Sequence, residues 1–129
     1  MDTLEAVEQV RSALNEPEAG IVGLADGIRL AAQDYRLHLE WRDGACEVSS
    51  AVSGSAPPVR IETRLAVFRA VLARFAVQCN ETRAGSVSPY GGRGAIRDDR
   101  GGLIEIEFRN TPNSLYVTLT PRSPANLSA

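Results

Sequence analysis

Residues 58–80 constrain the fold most. Ile61, Leu65, Phe68, Leu72 and Phe75 recur at steps of four, three, four and three, which places them on one face of a helix. Val67, Val71 and Ala76 widen that face. Pro57 and Pro58 stand at its start and Gly85 follows its end, as helix punctuation requires. A single-faced apolar helix of this length needs a dry partner surface, so the rest of the chain must supply one.

Alternating segments on either side can do so. Leu37, Leu39 and Trp41 alternate with His38, Glu40 and Arg42. Asp43-Gly44 then marks a hairpin, and Cys46 and Val48 alternate with Glu47 and Ser49. Further on, Ile104, Ile106 and Phe108 alternate with Glu105, Glu107 and Arg109. After a turn over 110–114, Leu115, Val117 and Leu119 alternate with Tyr116, Thr118 and Thr120. A period of two predicts strands with one dry and one wet face.

Two helices are expected before the first strand. Leu4, Val7, Val10 and Leu14 share a face over 2–14, with Glu5, Glu8 and Arg11 outside. A second helix begins near Asn15-Glu-Pro-Glu and carries Ile21, Leu24, Ile28, Ala31 and Tyr35. An alternative ends that helix at Asp26-Gly27 and begins a strand at Ile28. The expectation is an α+β two-layer sandwich in the order α-α-β-β-α-β-β-β. It has an antiparallel sheet of four to five strands and two to three helices on one face. Residues 1–120 form one domain, and 121–129 form a flexible tail.

Composition excludes several functions. The 129 residues carry a net charge of −2, which gives no global basic field for nucleic acid or anionic membranes. All 14 basic residues are arginine, so a lysine nucleophile or phosphate-loop lysine is absent. Cys46 and Cys79 form no CxxC pair and read as buried free thiols of a cytoplasmic protein.

The stretch 86–102, SVSPYGGRGAIRDDRGG, invites a phosphate-loop reading. It follows a helix and precedes strands, the reverse of the order such a loop needs, and it matches neither glycine fingerprint. Asp98-Asp99 as a cation site is opposed by Arg100 next door. The expectation is no cofactor and no metal, with Asp98–Gly102 turning between Ile96 and Leu103. Tyr90, Arg93, Arg97 and Arg100 remain candidate binders of a carboxylate, phosphate or partner, joined by His38 and Arg109 on the wet sheet face.

No GxSxG elbow is present, and Cys46 faces the opposite side from His38, the chain's lone histidine. The leading expectation is therefore a non-catalytic adaptor that binds another protein or itself as a homodimer. Its binding elements are the wet face, the Gly/Arg stretch and an edge strand. Size, acidity and helix–strand alternation also resemble type III secretion chaperones, which would imply an escort protein, though that family's C-terminal helix has no counterpart here. A third reading is a small enzyme or binder that holds an anionic ligand through 86–102.

Overall fold

The structure is a computed structural model that describes Glu8, Val10 and residues 20–50 and 58–122. Over 20–50 and 58–122, two helices and six strands follow in the order α1 (Gly20–Ala31), β1 (Leu37–Arg42), β2 (Ala45–Ser50), β3 (Val59–Ile61), α2 (Leu65–Thr82), β4 (Gly91–Arg97), β5 (Leu103–Thr111) and β6 (Ser114–Arg122). The strands form one antiparallel sheet in the spatial order β3-β2-β1-β6-β5-β4.

This is the expected α+β class, with more strands than expected. Two segments account for the difference. Val59–Ile61, read as the start of the long helix, is a strand, and α2 begins only at Leu65. Ile61 kept helical spacing by coincidence. It is buried through its pairing with Cys46. Gly91–Arg97, read as loop, is the seven-residue strand β4. The region 20–34 resolves in favour of helix, which ends at Ala31.

Three other expectations fall partly beyond the described residues. Glu8 and Val10 are helical, with Glu8 exposed and Val10 buried, as the expected first helix requires; the rest of 2–14 and the start at Asn15 lie outside. The loop expected from Ser49 is strand through Ser50, and 51–57 lie outside. The tail expected from Pro121 is strand through Arg122, and 123–129 lie outside.

The two faces divide as the alternation requires. Leu37, Leu39, Cys46, Val48, Ile96, Ile104, Ile106, Phe108, Val117 and Leu119 are buried on one face against Leu24, Ala25 and Ile28 of α1 and Phe68, Val71, Leu72 and Phe75 of α2. Trp41 packs its ring against Phe68, with centroids 5.9 Å apart. Burying each of these larger side chains contributes roughly 1.5–3 kcal/mol, so α2 and the inner rows of β1, β5 and β6 form the principal core.

The path of α2 determines which strands become edges. It leaves β3 at one edge of the sheet and delivers the chain to β4 at the other. Its 18 residues span about 27 Å, and five inter-strand gaps amount to about 24 Å. The helix is thus as long as the sheet is wide.

Candidate functional site

The Gly/Arg stretch becomes an edge strand because the loop before it is tied to α2. The Asn80 side chain donates from Nδ2 to the Val87 carbonyl at 3.1 Å and accepts from the Val87 N–H at Oδ1 at 3.0 Å. Ser86 Oγ donates to the Cys79 carbonyl at 3.0 Å. These bonds lay Val87 beside the start of β4. A Cβ at Gly94 would lie 3.0 Å from both Cβ and Sγ of Cys79 and 3.1 Å from Val87 Cγ1. At Gly91 (φ 153°) a Cβ would meet the Phe108 carbonyl oxygen at 2.8 Å. These two glycines therefore serve close packing of strand on helix and strand on strand.

The hydrogen-bond parity of β4 follows from its first residues. Asn110 N–H donates to the Tyr90 carbonyl at 2.9 Å, while Gly91 exchanges bonds with Ser88 on the other side at 3.2 and 3.4 Å. In an antiparallel ladder the backbone groups alternate between the two sides. Gly92, Gly94 and Ile96 therefore point their N–H and C=O groups at β5. Arg93, Ala95 and Arg97 point theirs away from the sheet. The far edge is different: β3 has only three residues, and Arg60 on it donates to the Arg42 and Asp43 carbonyls of the β1–β2 turn at 3.5 and 3.0 Å.

The wet face is a set of aligned rows. One runs His38, Thr118, Glu107, Arg93 from β1 to β4. Thr118 Oγ1 lies 2.8 Å from His38 Nδ1, and His38 Nε2 lies 2.9 Å from Glu40 Oε1. Arg42 donates to the other Glu40 oxygen at 2.6 Å. Glu40 is held below the usual carboxylate range, first by the His38 hydrogen bond and then by Arg42. An ionised carboxylate only accepts, so Nε2 carries a proton; in the neutral imidazole Nδ1 then accepts from the Thr118 hydroxyl. Toward β4, Arg93 meets Glu107 at 3.4 Å and Arg122 meets Glu105 at 3.1 Å. Arg36, Arg93, Glu105, Glu107, Thr118 and Arg122 line a shallow depression of about 660 Å³.

Thr118, His38 and Glu40 stand in the order hydroxyl, base, carboxylate, which resembles a hydrolytic triad. Acyl transfer also needs donors aimed at the developing oxyanion. β1 lies between β2 and β6, and β6 between β1 and β5, so the surrounding backbone N–H groups are spent in ladders on both sides. The arrangement is a cross-strand polar ladder. His38, Glu105 and Glu107 do not converge on a cation: Thr118 separates His38 from Glu107, and Glu105 pairs with Arg122. Among the described residues no group of three potential metal ligands forms. Cys46 and Cys79 are free and buried; burial pushes their thiols up to about 12 and about 11.

The candidate residues are dispersed. Tyr90 is 70% exposed in the turn before β4. Arg93 and Arg97 lie on β4, and Arg109 is opposite Gly91 on the wet face of β5. His38 is part-buried on the same face, two strands away from β5. Arg100 points elsewhere: it binds Asp34 at 2.9 Å and Gln33 at 3.1 Å, while Asp99 receives Arg29 at 3.3 Å. Asp98 Oδ1 accepts the N–H groups of Arg100 and Gly102 at 2.8 Å each. The Asp98–Gly102 turn is therefore a clasp onto the end of α1. Sequence reasoning passed over Ala95, whose backbone lies at the centre of the open edge, and the role of Thr118.

No protein-family model matches the chain, and no curated protein matches it. Among the described residues no helix is long and apolar enough to cross a membrane.

Proposed function

We propose that this protein is a non-catalytic, adaptor-type binding module that takes an extended segment of a partner protein alongside β4. The observation that carries the reading is the backbone of Arg93, Ala95 and Arg97, which has no partner strand among the described residues, on a seven-residue strand at the edge of the sheet. An extended peptide adds to such an edge through main-chain hydrogen bonds, with side chains at alternate positions supplying specificity. Neither proline nor a bulge blunts this edge, whereas Arg60 and shortness blunt the other. The two buried free thiols suit a reducing cytoplasm. The anionic-ligand reading is weaker, because Arg100 is committed to Asp34 and does not converge with Arg93 and Arg97.

Ala95→Pro tests the reading. The substitution removes an N–H that faces outward and leaves the β4–β5 ladder intact. Immobilised wild-type protein should recover a specific protein from its host's extract, and A95P should not. Equal recovery by both, or no protein recovered alongside saturable binding of a small anion, contradicts the proposal.

A further inference from the structure

We infer that the segment taken up by β4 is acidic, with carboxylates opposite Arg93 and Arg97, and is not a second copy of this chain. The inference rests on the reading of β4 as a binding edge and concerns what that edge selects.

The chain as a whole is slightly acidic, yet Gly91–Arg97 carries two arginines and no acid. Both arginines alternate onto the polar face, flanking Ala95. Arg93 is 83% exposed, and its one ion pair among the described residues is a 3.4 Å contact to Glu107, which also accepts from the Tyr116 hydroxyl at 3.4 Å. Arg97, and Arg109 opposite Gly91 at the other end of the strand, have no ion pair among the described residues. A strand laid on β4 brings its own polar-face side chains directly opposite Arg93, Ala95 and Arg97, at the distance where opposite charges stabilise and like charges destabilise. Acidic residues at positions i and i+4 of the incoming strand, with a small residue between them, match this row.

The same row disfavours self-pairing in the registers centred on Arg93, Gly94 and Ala95. In the antiparallel register centred on Ala95, Arg93 of each copy lies opposite Arg97 of the other. Centred on Arg93, the register stacks arginine on arginine. Centred on Gly94, it needs the edge groups of Gly91, which Ser88 already occupies. The arginines thus act as charge gatekeepers against a second β4 and as recognition groups for an acidic strand.

The test uses three fluorescein-labelled seven-residue peptides with valine at positions three and five and serine at four. Positions two and six carry glutamate, glutamine or lysine. By fluorescence anisotropy with the full chain, the glutamate peptide should bind about fivefold tighter than the glutamine peptide. The lysine peptide should bind weakest, and the differences should close at about 0.5 M salt. Binding should be lost in A95P, and the double variant Arg93→Glu, Arg97→Glu should reverse the preference to lysine even if A95P fails to fold. Equal affinity for the three peptides, with loss in A95P, overturns the acidic class while leaving the edge reading standing. A dimer by light scattering that A95P dissolves makes a second copy the occupant and overturns the inference. Failure of every peptide, with no dimer, overturns both.

Discussion

Cys79 and Gly94 touch where α2 crosses β4: a Cβ on the glycine would sit 3.0 Å from the cysteine's Cβ and Sγ. The glycines of this strand therefore answer to the helix beneath it. Gly94→Ala should destabilise the fold by about 1–3 kcal/mol, because neither the helix nor Val87 can retreat without opening the core. Thermal or urea unfolding measures it, and an unchanged midpoint would show that the helix stands further off.

This contact also explains what the sequence conceals. The faces of β1, β2, β5 and β6 were legible, because Leu37 and Leu39, or Ile104 and Ile106, carry a period of two that burial enforces. The Asp43-Gly44 hairpin was legible because both residues take positive φ, 52° and 81°. β4 was hidden, because Gly91, Gly92 and Gly94 have poor strand propensity and no side chains to reveal a period; the strand exists through backbone pairing with β5 and the space above Cys79. The clasp from Arg100 to Asp34 and the bond from His38 to Thr118 join residues 66 and 80 positions apart, and they depend on a strand order that no local pattern encodes.

The Glu40 carboxylate titrates below its usual value of 4.5 because His38 and Arg42 bind its charged form. Its folded-state value is lowered, so the stability it contributes is complete above 4.5 and is lost as pH falls through the folded value. His38→Ala should raise the Glu40 titration toward 4.5 and shrink the loss of stability on acidification. Carbon-detected NMR titration of the carboxyl, with unfolding followed between pH 2 and 6, provides the check. An unmoved titration would mean that the 2.9 Å bond does not persist in solution.

The thiols offer a third test. Cys46 and Cys79 are pushed up to about 12 and about 11 by burial, so at neutral pH both are protonated and shielded. A disulfide-exchange reagent should modify neither in the native protein and both after denaturation. Rapid modification of Cys79 in native buffer would show that the α2–β4 contact opens.

Binding at β4 depends on which of its backbone groups face outward. Amide hydrogen exchange of the free protein, resolved residue by residue, measures this directly. Fast exchange is expected at Arg93, Ala95 and Arg97, interleaved with protected amides at Gly92, Gly94 and Ile96. Protection at Arg93, Ala95 and Arg97 would show that the edge is already covered, or that the register is shifted by one, and would contradict the proposal that a partner strand binds there.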